Sequence, residues 1–174
     1  MTVKNKQPFK KFMKSILGNG TLIIEHDSCG SDQLALVSIK VFQEISHLKN
    51  SYPNFEKWYL EKVVNGLKGG TRKIILELRD EKIAGVAIIK DTVLEKKICT
   101  ISVNHEYKSK GLGIKLFERS MCLLDTDRPL ASVSEDRMNE FEKVFKYFNY
   151  EFSAEYRGLY IPHKSEFSFN GVLQ

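Results

Sequence analysis

Residues 104–124 read NHEYKSKGLGIKLFERSMCLL. Lys108 and Lys110 interleave with Gly111 and Gly113, and then Ile114, Leu116, Phe117, Met121 and Leu124 recur at the spacing of one helical face. The stretch just before it, KKICTISV (96–103), alternates like a strand rich in β-branched residues. A helix that opens directly after a strand turns its first unpaired N–H groups, and the positive end of its dipole, toward the strand's carboxyl end. Glycines there remove Cβ atoms from the approach to the backbone, and lysines add mobile cations, so the loop has the chemistry of an anion site. It is not a Walker loop, which needs G-x-x-x-x-G-K-[ST]. It is not a dinucleotide fingerprint either, because Lys115, Leu116 and Phe117 stand where a third glycine would fall.

Upstream, TLIIEH (21–26) reads as a strand broken by DSCGSD, with Ser31 or Asp32 as the N-cap of a helix carrying Leu34, Val37, Val41, Ile45 and Leu48. A second helix starts near Pro53, aligns Phe55, Trp58, Tyr59, Val63 and Leu67, and ends at Gly69 and Gly70. RKIILELRDEKIAGVAIIK places two strand-forming runs around the turn RDEK, an antiparallel hairpin. Downstream, PLASVSE (129–135) is a short strand, and residues 136–148 form a helix with Phe141, Val144, Phe145 and Phe148 on one side. EFSAEYRGLYI and EFSFNG return to strand. A hairpin region joined to one strand–helix–strand crossover predicts a mixed, mostly antiparallel sheet with helices on both faces.

The formal net charge of +5 is concentrated in the first twenty residues. Lys4, Lys6, Lys10, Lys11 and Lys14 stand there with no acid, so the remainder is balanced by count. Phe9, Phe12, Met13, Ile16 and Leu17 give this arm the pattern of an amphipathic helix, docked on its own domain or contacting a membrane surface or RNA. The expected organisation is a basic arm over 1–20 and one domain over 21–174. No secretory signal and no apolar run of about 18 residues is present, so the expectation is a cytoplasmic protein without a transmembrane segment. Cys29, Cys99 and Cys122 show neither C-x-x-C nor metal-ligand spacing, so no metal is expected.

The run ISVNHEYKSKGLGIKLFERSM resembles the acetyl-coenzyme A loop of the GNAT N-acetyltransferase superfamily, whose motif is [RQ]-x-x-G-x-[GA] after a bulged strand. Val103, Glu106, Tyr107 and KSKGLG match it without a gap. The hairpin ILELRDEKIAGVAIIK, with Gly85, is similar to that superfamily's second and third strands, and VFKYFNYEF to its LYEKLGF helix end. The resemblance spans roughly residues 20–160. Two positions depart from it: Lys108 replaces Arg or Gln, keeping the charge without the guanidinium fork, and Phe145 stands where a tyrosine is usual.

The resemblance implies a GNAT-like sheet and transfer of an acetyl group from acetyl-CoA to a small-molecule or protein amine. It implies backbone contacts from Ile101, Ser102 and Val103 to the acyl arm. The pyrophosphate would sit on amides of Lys108, Ser109, Lys110, Gly111, Leu112, Gly113 and Ile114. A base must free the amine, whose pKa is about 10. Glu135 is the first choice, with Glu95 and Glu25 behind it; Tyr147 is a candidate acid, although it sits about 200° around the helix from Phe145. Cys99 is read as a small core residue, and Phe55, Trp58 and Tyr59 as core or pocket wall. Two other functions compete: a non-catalytic acyl-CoA sensor, prompted by Phe145, and an acetyltransferase acting on an aminoacyl-tRNA amine, prompted by the lysine arm. A second copy of the chain, as a homodimer, is a further partner to consider.

Overall fold

The computed structural model describes residues 20–27 and 30–174. The basic arm, apart from Gly20, and Cys29 lie outside the described residues. The chain runs β1 (Gly20–Ile24), α1 (Ser31–Ile45), a 3₁₀ turn (Ser46–Asn50), and α2, a continuous helix built from Phe55–Trp58, a π segment Tyr59–Val64, and Asn65–Lys68. It continues with β2 (Arg72–Arg79), β3 (Lys82–Asp91), β4 (Lys96–Val103), α3 (Leu112–Leu124), β5 (Leu130–Ser134), α4 (Met138–Tyr147), β6 (Phe152–Arg157) and β7 (Ser165–Phe169). Among the described residues seven strands form one sheet in the order β1-β2-β3-β4-β5-β7-β6. The β4–β5 pair is parallel and every other pair is antiparallel.

The sheet's two faces carry separate cores. Ile74, Leu76, Val86 and Ile88 pack under α1 and α2 with Val37, Val41, Tyr59 and Val63. Ile75, Ala87, Ile89 and Ile101 pack under α3 and α4 with Leu116, Phe117 and Phe145. Strand alternation sends successive residues to opposite faces, so the central strands β2 and β3 serve both cores and read as nearly unbroken apolar runs. The turn RDEK is tight: Asp80 and Glu81 both have positive φ, 50° and 61°, as a two-residue hairpin with right-handed twist requires. Two sequence expectations shift slightly. Gly30, not Ser31 or Asp32, holds the N-cap of α1, and α2 begins at Phe55 after a turn through Pro53.

α3 is seated by two features. The carboxylate of Glu77 on β2, fully buried, receives the Lys115 ammonium at 2.7 Å and so ties the first turn of α3 to the sheet. At Gly85 on β3 an added Cβ would lie 2.9 Å from Leu116 Cδ1 and 3.5 Å from Leu112 Cδ2, so the helix rests where a side chain is absent. Gly85→Val is expected to cost about 1–3 kcal/mol through overpacking. Thermal melting checks this; an unchanged midpoint would mean that α3 does not depend on this close approach.

Candidate active site

β4 and β5 pair only at Lys97↔Leu130 and Ile98↔Ala131, and beyond those residues they part. A register shift against β3 between Ile88 and Ile89 leaves Cys99 as an extra residue, and a bulge of this kind bends a strand away from its neighbour. A cavity of about 460 Å³ occupies the gap. Its walls come from both faces: Tyr52, Phe55 and Trp58 from the α1–α2 side, and Phe117, Phe141 and Phe145 from the α3–α4 side. The cavity therefore lies in the plane of the sheet where β4 and β5 part, lined from both faces.

The glycine loop follows the carboxyl end of β4, the end at which β4 and β5 have parted. Gly111 is the N-cap of α3 at φ 74°, a left-handed conformation that favours glycine, and no side chain caps the helix. The first backbone bond of the helix runs from Lys115 N to Gly111 O at 3.1 Å, so the N–H groups of Leu112, Gly113 and Ile114 precede the ladder. A Cβ at Gly111 or Gly113 would meet nothing within 4 Å. The expected anion cradle is thus open, with free donors and no side chain over it. Lys110 Nζ donates to Glu106 O at 3.1 Å and lies over the Tyr107 ring, and Lys108 Nζ is 4.0 Å from Glu140. Ser109 has a positive φ of 62°.

Along β4, Ile101 and Ser102 are buried and Val103 is half-buried. Arg137, at the entry to α4, reaches across the gap: its Nη2 donates to Ile101 O at 3.4 Å, and its guanidinium lies over the Phe141 ring at 5.1 Å. The edge of β4 that faces β5 therefore carries backbone groups free to bond a ligand, and one of them is already engaged by an arginine. The residues present fit the acyl arm and pyrophosphate of a coenzyme A thioester.

On the α1–α2 side the chemistry is carried by residues that the sequence left unassigned. Glu166 on β7 pairs with Ser134 of β5 and is only 3 % exposed, with Oε2 lacking any hydrogen-bond partner among the described residues. Burial lifts its pKa from the ordinary 4.5 to about 7, while hydrogen bonds from Ser132 and Tyr52 and the charges of Lys97 and Arg137 hold it from rising further. The Tyr52 hydroxyl accepts from Ser134 N at 3.3 Å, and its ring meets Tyr160 edge-on at 5.3 Å. Burial raises both phenols, Tyr160 to about 12, so both stay protonated at neutral pH.

Glu135 and Tyr147 lie elsewhere. Glu135 is exposed in the 3₁₀ turn Glu135–Arg137, accepts from Ser165 N at 3.1 Å, and lines a separate surface depression with Arg157 and His163. Tyr147 is 61 % exposed, its ring against Phe148, while Phe145 faces the cavity. Cys99 is half-buried and lines the cavity rather than the core alone, with its thiol pKa raised by burial. Phe55 and Trp58 form cavity wall, whereas Tyr59 is core, its hydroxyl donating to Ser38 O at 2.8 Å. Glu95 pairs with Lys90 at 2.8 Å on the cavity rim, and Glu25 lies 3.4 Å from Lys73. His26 bonds Asp27 and His105 sits in a turn, neither in the cavity.

No protein-family model and no curated protein sequence matches the chain. Solved structures do. A GNAT-family protein from Desulfovibrio desulfuricans is 14 % identical with a TM-score of 0.63, over 86 % of this chain and 97 % of that one. The ribosomal-protein-S18-alanine N-acetyltransferase of Escherichia coli is 16 % identical, TM-score 0.59, over 86 % and 92 %. An aminoglycoside 6'-N-acetyltransferase complexed with coenzyme A is 10 % identical, TM-score 0.55, over 88 % and 99 %. The chain has the fold of the GNAT acetyltransferases.

Proposed function

We propose that the protein transfers an acetyl group from acetyl-CoA to an amine by direct attack in a ternary complex. The observation that carries the reading is the cavity between β4 and β5, lined from both faces of the sheet and by a buried carboxylate of pKa about 7, with an uncapped helix N-terminus in the loop that follows the carboxyl end of β4. When bound, acetyl-CoA supplies the acetyl group as an activated thioester. Amides from Lys108 to Ile114 hold the pyrophosphate, and backbone groups of Ile101, Ser102 and Val103 hold the acyl arm. Arg137 leaves Ile101 O when that arm enters. A backbone donor aimed at a developing oxyanion is commonly worth roughly 3–4 kcal/mol, which gives the free edge of β4 its value.

Glu166 is the base in this reading. Its pKa lies within reach of neutral pH, so the ionised form is populated where it must take a proton from an ammonium of pKa about 10. Tyr52 and Tyr160 are protonated phenols on the cavity wall, and the leaving sulfur takes its proton from one of them, since Phe145 has none to give. Glu135 and Tyr147 are held outside the cavity wall, so Glu135→Gln and Tyr147→Phe are expected to change kcat less than about threefold, against at least about a hundredfold for a lost base. A steady-state assay of thiol release checks this, and a large loss in either variant would return the role to that residue.

A second reading, an acyl-CoA sensor without turnover, is favoured by Phe145, which puts a ring and no hydroxyl on the cavity wall. Calorimetric titration of acetyl-CoA together with thiol release across an amine panel separates the two. Binding with turnover supports transfer, binding without turnover supports the sensor, and no binding at millimolar ligand removes both.

A further inference from the structure

The α1–α2 side of the cavity holds a row of cations. Arg72 on β2 pairs with Lys90 on β3, and Lys90 pairs with Lys97 on β4, so three basic side chains stand on one face of adjacent strands. Like charges directly opposed across a sheet are destabilising, and such a row needs a reason. Lys90 is answered by Glu95 at 2.8 Å. Among the described residues no carboxylate lies within ion-pair distance of Arg72 or Lys97. All three cations line the cavity, with Lys62 of α2 beside them.

Arg72 is the sharper observation. It is 9 % exposed, its Nη1 donates to Thr71 O at 3.3 Å, and its Nε is buried with no partner among the described residues. A buried guanidinium N–H left without an acceptor is costly unless a ligand completes it. α2 makes room for this side chain: at Gly66 a Cβ would come within 2.4 Å of Arg72 Cγ and 3.1 Å of its Cβ. The helix thus lacks a side chain where the Arg72 stem passes beneath it on the way to the cavity.

Resting on the acetyltransfer reading above, we propose that the acceptor is a small amine carrying an anionic group, a carboxylate or phosphate, which Arg72 and Lys97 bind while the amine faces Glu166. Lys97 stands opposite Leu130, and Glu166 opposite Ser134, on the same pair of flanking strands. Along β5 the two positions are offset by four residues, about 13 Å, and they lie on strands to either side of it, so the two charged ends of the acceptor are several bonds apart. A planar guanidinium suits a carboxylate or a phosphate bidentately, and Lys97 adds a point charge that either accepts.

The test uses amine pairs that differ only in the anion: 5-aminovalerate against n-pentylamine, and 3-aminopropyl phosphate against 3-aminopropanol. With the full chain and acetyl-CoA, the anionic member of at least one pair is expected to show about tenfold or greater kcat/KM, and the pair that does identifies carboxylate or phosphate. Arg72→Met and Lys97→Met should each reduce that preference toward unity, and Arg72→Lys should restore part of it. Calorimetry of 5-aminovalerate and 3-aminopropyl phosphate into the chain saturated with coenzyme A gives a readout independent of turnover, and binding should be lost in Arg72→Met. Lys97 is half-buried on β4, so Lys97→Met keeps the test alive if Arg72→Met fails to fold. Equal kcat/KM within both pairs, preference retained in both methionine variants, or no binding of either anionic amine to a chain that does bind acetyl-CoA, would each overturn the proposal. Failure to bind acetyl-CoA would instead remove the underlying reading.

Discussion

Gly113→Glu is expected to raise the melting temperature by about 2–8 °C and to weaken acetyl-CoA binding by at least about a hundredfold. The two effects come from the same position. Gly113 lies in the first turn of α3 without positive φ, and a Cβ there enters open space, so glutamate fits without strain. Replacing glycine within a helix gains about 0.5–1 kcal/mol, and an acid in a first turn gains roughly 0.3–1 kcal/mol from the dipole. In the proposed coenzyme site that open space is where a pyrophosphate would approach the amides, and the carboxylate would both fill it and repel the anion. Gly111→Glu should lose the coenzyme as well but melt lower, because φ 74° costs a non-glycine residue about 1–2 kcal/mol. Lys108→Ala should lose less than about tenfold, since backbone donors remain, and Lys108→Arg should bind as well or better. If Gly113→Glu binds acetyl-CoA like the parent, the loop is an ordinary turn.

Glu166→Gln is the second large effect, and it should move rate and stability in opposite directions. The folded chain holds a proton on Glu166 up to about pH 7, whereas the unfolded chain releases it near 4.5. Between those values the folded state binds more protons, so stability falls as pH rises through the window, and the full cost applies above about pH 7. A shift of this size corresponds to roughly 3 kcal/mol. The glutamine variant removes that cost: it should melt higher than the parent at pH 8 and alike near pH 4. In catalysis the parent's kcat should rise with pH through a midpoint near 7, and the variant should lose about 10²–10⁴ in kcat together with that rise. Melting curves at the two pH values and a pH–rate profile check both halves. A variant that keeps the rise in kcat near pH 7 would show that another group is the base.

Much of the architecture is legible in the sequence because it rests on local periodicity. The spacing of Leu34, Val37, Val41, Ile45 and Leu48, the alternation in KKICTISV, and the turn at Asp80 and Glu81 each depend on near neighbours alone. The opening of the anion loop is legible for the same reason, since Gly111 and Gly113 act through their own missing Cβ atoms. The interior of the site is not local. In SEFSF the alternation of Glu166 and Ser168 with Phe167 and Phe169 marks a strand. That Glu166 faces a cavity follows only from its pairing with Ser134, thirty-two residues earlier. Glu135 looked better placed because it directly follows β5, but the 3₁₀ turn rotates it toward Ser165 N. The opposite fates of Phe145 and Tyr147 were within reach, because two helical residues about 200° apart do not share a face. The π segment Tyr59–Val64 left no comparable trace in the sequence, and the bulge at Cys99 is legible only through the resemblance, whose loop follows a bulged strand.

A crystal structure of the chain with acetyl-CoA tests the central claim most directly. The account predicts pyrophosphate oxygens within hydrogen-bond distance of the amides of Gly111, Leu112, Gly113 and Ile114. It also predicts the acyl arm between β4 and β5 along Ile101–Val103, and Arg137 withdrawn from Ile101 O. A coenzyme bound anywhere else, with the gap between β4 and β5 still closed by Arg137, would contradict it.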